Sequence, residues 1–303
     1  MAAIKKVATR AGFGSALVEL GAERDDFVVL DADLAAATQT GMFKKAYPER
    51  FYDCGIAEAD MIGIAAGIAA TGKKVICSSF AMFAAGRAYE QVRNSVGYPH
   101  LNVIIGATHQ CCEDIALMRT IPGMTIINPA DETEAKKAVR AALEIDGPVY
   151  MRFGRLAVPV IFDDDYKFEV GKGVELREGN DVTIVATGLM VNEALEAHEL
   201  LKNEGINARV INIHTIKPLD NDIILKAAKE TGAVVTAEEH SVIGGLGGAV
   251  SELLSENYPV PVLKLGVYDV FGHSGPAPKL LDEFGLRAAN IAEKAKKAVA
   301  LKK

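Results

Sequence analysis

The sequence predicts an α/β protein built from two parallel-sheet domains, and three observations carry that prediction. A continuous apolar run at 27–30 and apolar-rich runs at 101–106, 181–188, 208–213 and 260–265 are expected of strands in a buried sheet. Between them lie segments with apolar residues at helical spacing, and strands alternating with helices build parallel sheets. Residues 156–180 break the alternation with Pro159, the acidic run Asp163-Asp164-Asp165 and several glycines, so a domain boundary belongs there. The expected domains are 1–160 and 181–303, with 161–180 as a linker.

The chain of 303 residues is long enough for two cores. Its net charge of −7, without a basic tract, argues against nucleic acid as a partner. No apolar run reaches the ~18 residues of a membrane span, and the N-terminal residues lack the apolar core of a signal peptide. The four cysteines, Cys54, Cys77, Cys111 and Cys112, form no CxxC pair and suit a reducing compartment. The adjacent pair is read as two buried thiols. A cytoplasmic protein is expected.

Along the first domain, residues 8–22 have helical spacing, with Thr9 as an early cap and Arg10 at the start. The strand at 27–30 runs into Asp31-Ala32-Asp33-Leu34. Acids just past the carboxyl end of a buried strand lie where open α/β sheets place ligands, although Asp31 also suits a helix N-cap.

A short aromatic run, Phe51-Tyr52-Asp53, then turns at Gly55 and enters a helix whose first residues include Glu58. Beyond it come Met61, Ile62, Ile64 and Ile68, with Gly63, Ala65, Ala66 and Gly67 between them. A helix apolar on nearly all faces is expected to be buried. Its glycines, each costing roughly 1 kcal/mol against alanine, make sense where another backbone approaches closely. Glu58 would then sit at the mouth of a buried helix, where an ionised carboxylate is expensive unless paired. A plain alternative is that Glu58 complements the helix N-terminus.

The strand at 73–79 is followed by Phe80 and Phe83, a spacing that serves core packing or a slot for a flat heterocycle. A helix containing Arg87 is expected over 86–96. The strand at 101–106 leads into Ala107-Thr108-His109-Gln110, and a lone loop histidine has structural and functional readings alike. A strand within 122–129 precedes a helix over 131–143, whose Asp131 and Glu134 have capping-box spacing. The last strand, 147–155, carries Arg152 and Arg155, which suit a phosphate or else an ordinary ion pair.

In the second domain, helices are expected over 191–203, 220–230 and 288–301, and a further strand over 233–237. Gly244-Gly245-Leu246-Gly247-Gly248 lacks the Lys-Ser/Thr of a P-loop and does not fit G-x-G-x-x-G. Glu238-Glu239-His240 before it is read as a solvated loop cap.

Gly55-Ile56-Ala57-Glu58, the small-residue helix after it and Ser78-Ser79-Phe80-Ala81-Met82-Phe83 together resemble the pyrimidine-binding domain of transketolases. They are similar, less closely, to 1-deoxyxylulose-5-phosphate synthases and to the beta chains of 2-oxo-acid dehydrogenase E1. The resemblance runs over essentially the whole chain, so the second domain would be a transketolase C-terminal-like dimerisation domain. It implies thiamine diphosphate as cofactor, with Glu58 hydrogen-bonding a ring nitrogen of the aminopyrimidine. Phe80 and Phe83 would surround that ring, with Asp33 and Ile56 beside the cofactor. Arg155 would contact a sugar phosphate, supported by Arg152 and with Arg10 as a second candidate. His109 would hydrogen-bond the reacting oxygens. The implied activity is transfer of a two-carbon ketol unit from a ketose phosphate to an aldose phosphate.

Two departures from the family pattern are informative. The chain passes directly from strand to Thr108-His109-Gln110, without the family's longer loop and its Gly-Glu-Asp-Gly run. The acid that reads the donor's hydroxyl and the first, phosphate-facing histidine therefore lack counterparts. There is also no Gly-Asp-Gly diphosphate motif in the chain. The chain thus looks like the C-terminal subunit of a split transketolase. A separate N-terminal subunit would bring the diphosphate site and Mg²⁺ or Ca²⁺, in an α₂β₂ assembly with homodimer contacts through both domains, and the chain alone would be inactive. The alternatives are a synthase-like or E1 beta-like subunit, or a non-catalytic partner.

Overall fold

The computed structural model describes residues 5–108 and 111–302, so His109 lies outside the described residues. The chain divides into two compact units, which meet in sequence at Val170 and Gly171.

The first unit begins with β1 (Lys6–Ala8), α1 (Thr9–Glu23), β2 (Phe27–Asp31), α2 (Ala35–Thr38), α3 (Gly41–Ala46), β3 (Phe51–Asp53), α4 (Glu58–Ala69) and β4 (Lys74–Phe80). There follow α5 (Tyr89–Gln91), β5 (Val103–Thr108), α6 (Asp114–Arg119), β6 (Thr125–Ile127), α7 (Glu132–Ala142), β7 (Val149–Phe153) and β8 (Ala157–Pro159). Strands β6, β7, β5, β4, β2 and β3 lie side by side in that order, every neighbouring pair parallel. β1 and β8 form a separate antiparallel ribbon. The chain leaves β2 towards β3 on one side and leaves β4 towards β5 on the other. The carboxyl ends of β2 and β4 therefore flank a topological switch point, the place where sheets of this kind open a ligand crevice.

One face of the sheet is closed by α1 and α7 over a core that includes Phe13, Leu17, Leu20, Phe27, Phe43 and Phe153. Phe13 stacks on Phe153 with ring centroids 4.6 Å apart. Gly106 is required by that packing, because a Cβ there would lie 2.7 Å from the Phe13 ring. Thr9 does not cap α1 as expected. Ala8 holds the cap position, and the Thr9 hydroxyl accepts a hydrogen bond from the Gly154 amide at 2.7 Å, tying the start of α1 to the end of β7. Asp131 does cap α7, accepting from the Glu134 amide at 2.8 Å. The return bond runs from the Ala130 amide to Glu134 at 2.7 Å, one residue before the cap.

Two expectations for the helices are corrected. Helix α4 buries Met61, Ile62, Ala65, Ala66 and Ala69, a single face at helical spacing. Its other face is open among the described residues: Ile64 is 40% exposed, and none of their atoms lies within 4 Å of a Cβ placed on Gly63 or Gly67. The expected regular helix over 86–96 is replaced by wide π-helical turns at Phe83–Arg87 and Val92–Gly97 on either side of α5. Such turns fit one extra residue into the helical path and recur at functional sites.

The second unit comprises β9 (Val174–Arg177), β10 (Val182–Ala186), α8 (Met190–Asn203), β11 (Ala208–Asn212), β12 (Thr215–Lys217), α9 (Asn221–Thr231), β13 (Val234–Ser241), α10 (Leu246–Asn257), β14 (Val262–Val267), α11 (Ala277–Glu283) and α12 (Ala288–Ala300). Strands β14, β13, β10 and β11 are parallel, and β9 adds an antiparallel edge. β9 falls inside the stretch expected to be a linker. Its alternation of half-buried and exposed residues suits an edge strand. Val185, Ile211, Ile224, Val234, Leu246 and Val250 are part of the core.

β13 continues beyond the expected end at 237, so Glu238 and His240 lie on a strand, fully buried, and not in a solvated loop. Glu238 is a cap nonetheless: its two carboxylate oxygens accept from the Leu246 amide at 2.7 Å and the Gly247 amide at 2.8 Å, at the start of α10. The helix N-terminus supplies the positive end that makes this buried acid tolerable.

Candidate active site

At the switch point, Asp31 ends β2 fully buried. It accepts from the Leu34 amide at 2.6 Å and from the hydroxyls of Thr38 at 2.7 Å and Thr40 at 2.8 Å. Burial pushes its carboxyl above the usual range, and these three donors pull it back. Asp31 therefore shapes the loop after β2 but is not the N-cap its plain reading expected, since Leu34 holds the cap position of α2. Asp33, two residues on, is exposed and has φ 59°, a left-handed conformation uncommon outside glycine. Its amide donates to Asp53 Oδ1 at 3.1 Å, and the Gly55 amide donates to the same oxygen at 3.1 Å. One carboxylate oxygen at the end of β3 thus ties together the two turns that carry Asp33 and lead to Glu58. Ile56, in the second of these turns, is 75% exposed.

Glu58 opens α4 and is 1% exposed. Arg87 donates to its Oε2, Nη1 to oxygen, at 3.1 Å. Among the described residues no other group binds the Glu58 side chain, so Oε1 accepts no hydrogen bond from any of them. The Arg87 guanidinium lies over the Phe83 ring, 4.9 Å from its centroid. Phe83 in turn packs against Phe80 at 5.8 Å with a tilt of 32°. Both rings are half-buried. The structure therefore brings Glu58, Phe80 and Phe83 into one group, joined by Arg87. A buried carboxylate with one uncommitted oxygen beside an aromatic wall can bind a flat ring and hold a proton at a ring nitrogen.

Arg10 and Arg155 form a second group. The Arg10 amide donates to the Gly154 carbonyl at 3.5 Å, and its Nη1 donates to the Ala37 carbonyl at 2.7 Å. Burial and then the like charge of Arg155 hold the Arg10 guanidinium below its usual value. Arg155 itself is exposed. Two close guanidinium groups suit a tetrahedral oxyanion. Arg152 is buried: its Nε lies 3.0 Å from Asp114 Oδ2 and its Nη2 donates to the Cys111 carbonyl at 2.8 Å. The Tyr150 hydroxyl donates to the same Asp114 oxygen at 2.8 Å, and burial, followed by the Asp114 charge, pushes that phenol well above its ordinary value. Of the adjacent thiols, Cys111 is buried and Cys112 only partly so.

Sequence reasoning missed Asp53 and Arg87 as parts of this group. Asp53 had a usable signal, an Asp two residues before a turn glycine. Arg87 had none, since its partner lies on another element. Among the described residues no group of three His, Cys, Asp or Glu side chains could hold a metal ion, and no helix is long and apolar enough to cross a membrane.

Two family models match the chain, the transketolase pyrimidine binding domain over residues 5–160 and the transketolase C-terminal domain over 171–291. A putative transketolase C-terminal section of Methanocaldococcus jannaschii is 49% identical over 94% of both chains. A 6-deoxy-6-sulfo-D-fructose transketolase subunit of a Clostridium species is 47% identical over 91% of this chain and 89% of its own. Among solved structures, one described as a split gene transketolase, an inactive beta4 tetramer, superposes with a TM-score of 0.93 at 52% identity, covering 99% of this chain and all of its own. The carboxylate, the aromatic wall and the two-unit architecture thus lie in a chain that matches transketolase domains along nearly its whole length, and the chain belongs to the transketolase family as a subunit of the split type.

Proposed function

We propose that this chain is the pyrimidine-binding subunit of a two-chain transketolase, transferring a two-carbon ketol unit from a ketose phosphate to an aldose phosphate. The observation that carries this reading is Glu58: a buried carboxylate with, among the described residues, a single partner at Oε2 and none at Oε1, in one group with Phe80 and Phe83. These residues fit the aminopyrimidine end of thiamine diphosphate, which is flat, largely apolar and edged by ring nitrogens. When bound, thiamine diphosphate supplies the nucleophilic carbon and the electron sink for breaking a carbon–carbon bond next to a carbonyl.

The chain's own residues do the rest. Glu58 holds a proton at the pyrimidine nitrogen through Oε1. Phe80 and Phe83 orient the ring and keep water from it. Asp33 and Ile56 border the ring from the turns after β2 and β3. Arg155 and Arg10 grip the sugar phosphate, with Arg152 bracing β7 beneath them and His109 reaching the reacting oxygens. The diphosphate and its Mg²⁺ or Ca²⁺ are assigned to an N-terminal partner subunit, in an α₂β₂ assembly with homodimer contacts through both units. The open face of α4 and the tetramer named for the 52% identical neighbour support self-association. The four cysteines form no disulfide among the described residues, which suits a cytoplasmic location.

The test is reconstitution with the N-terminal subunit and a ketose-plus-aldose assay. Glu58→Gln should lower kcat by about 10²- to 10⁴-fold while the melting curve of the complex stays in place. Undiminished turnover in that variant would refute the assignment.

A further inference from the structure

We propose that Arg87 is a positioning residue for this reaction, binding Oε2 of Glu58 so that the carboxylate is held in place and presents Oε1 to the cofactor ring. The inference rests on the Glu58–pyrimidine reading and adds a residue to it. Glu58 is 1% exposed, whereas the Arg87 side chain is 57% exposed. The pair therefore differs from a surface ion pair, in which both charges are already solvated. A carboxylate taken out of water needs a compensating partner. Among the described residues that partner is Arg87, whose Nη1 lies 3.1 Å from Oε2 and engages that oxygen alone. Because the guanidinium engages Oε2, the acceptor sites of Oε1 are left for a ring nitrogen.

The wide turn at Phe83–Arg87 explains how one residue can do this. It carries Phe83 and Arg87 together, and the guanidinium lies 4.9 Å from the centre of the Phe83 ring while its edge reaches Glu58. A planar guanidinium can stack on a ring and donate sideways at once, whereas an ammonium is a point charge without that plane. Phe83 rests on Phe80 at 5.8 Å. The proton-holding group and the aromatic wall are therefore set by one side chain, and a displacement of Arg87 would disturb both.

The experiment uses the complex reconstituted with the N-terminal subunit and loaded with thiamine diphosphate. Arg87→Ala should lower kcat about 10- to 100-fold, as expected for loss of a hydrogen bond to a charged group, with sugar KM values changed no more than about 2-fold. Guanidinium chloride at millimolar concentration, far below denaturing levels, should restore part of that loss in Arg87→Ala and do nothing for wild type. Arg87→Lys should fall between the two. The near-UV circular dichroism of the bound cofactor should change in Arg87→Ala and return with guanidinium. Added to Glu58→Gln, Arg87→Ala should cost nothing further, because the two act through one contact.

Wild-type kcat and dichroism in Arg87→Ala would overturn the proposal. So would a loss that guanidinium fails to rescue and that tracks a lowered melting temperature, since that would make Arg87 a stability residue. If Glu58→Gln were itself fully active, the underlying reading would fail first. An inactive Glu58→Gln beside an unimpaired Arg87→Ala would remove this inference alone.

Discussion

Arg155 is exposed past the end of β7, and Arg10 is half-buried at the start of α1. The bond from the Gly154 amide to Thr9 brings the two together. Arg10 is tied to the Ala37 carbonyl, whereas Arg155 is exposed, so in the proposed reading Arg155 is the more accessible of the two phosphate contacts. In the assembled enzyme Arg155→Ala should raise KM for a phosphorylated acceptor about 10- to 100-fold, with kcat nearly unchanged, because a phosphate distant from the reacting carbon is bound alike in ground and transition states. Steady-state kinetics with a phosphorylated and an unphosphorylated aldose would check this, and an equal loss for both would rule out the phosphate role. The residue types were legible in the sequence, but their directions were not. Side chains alternate along a strand, so Arg152 on β7 turns inward to Asp114, whereas Arg155 lies beyond the strand. Asp53 and Arg87 show the same limit: a sequence displays a charge, and only the fold displays its partner.

At the scale of the element, apolar-rich runs revealed the central parallel strands of both units because strands covered on both faces need no alternation, but not the short strands β1, β8, β9 and β12. The same runs misplaced the end of β13, since Glu238 and His240 look like residues that belong outside a core. What keeps them inside is α10, whose first amides bind Glu238, and what brings α10 so near is Gly245. A Cβ at Gly245 would lie 2.0 Å from Glu238 Oε2 and 2.6 Å from His240 Nδ1. The glycine run that could be mistaken for a nucleotide loop is thus needed, at this position, for a helix cap. Gly245→Ala should therefore destabilise the second unit by about 1–3 kcal/mol, through overpacking and displacement of the cap, without touching the residues assigned to the reaction. Thermal or denaturant unfolding of the chain reads this directly, and an unchanged midpoint would show that the carboxylate can move aside.

For the molecule as a whole, α4 is the element whose sequence and surroundings disagree. Its composition called for burial on nearly all faces, yet this chain covers only the side of Met61, Ile62 and Ala65. The opposite side presents Gly63, Ile64 and Gly67 with open space beside both glycines. Within the chain those glycines do nothing for stability, and each costs roughly 1 kcal/mol of helix propensity against alanine. Selection for fold alone would favour larger residues there, so the glycines make sense if a second chain's backbone approaches that side. Two substitutions separate the effects. Gly67→Ala should leave the isolated chain as stable as before or slightly more so, by at most about 1 kcal/mol. Gly67→Leu should also fold, since no described residue lies within 4 Å of a Cβ there, but should lower the oligomeric state and abolish activity with the N-terminal subunit. Sedimentation velocity beside a melting curve distinguishes these outcomes. A Gly67→Leu chain that assembled to wild-type size and restored full turnover would mean that this face stays open in the working enzyme, and the small residues of α4 would need another explanation.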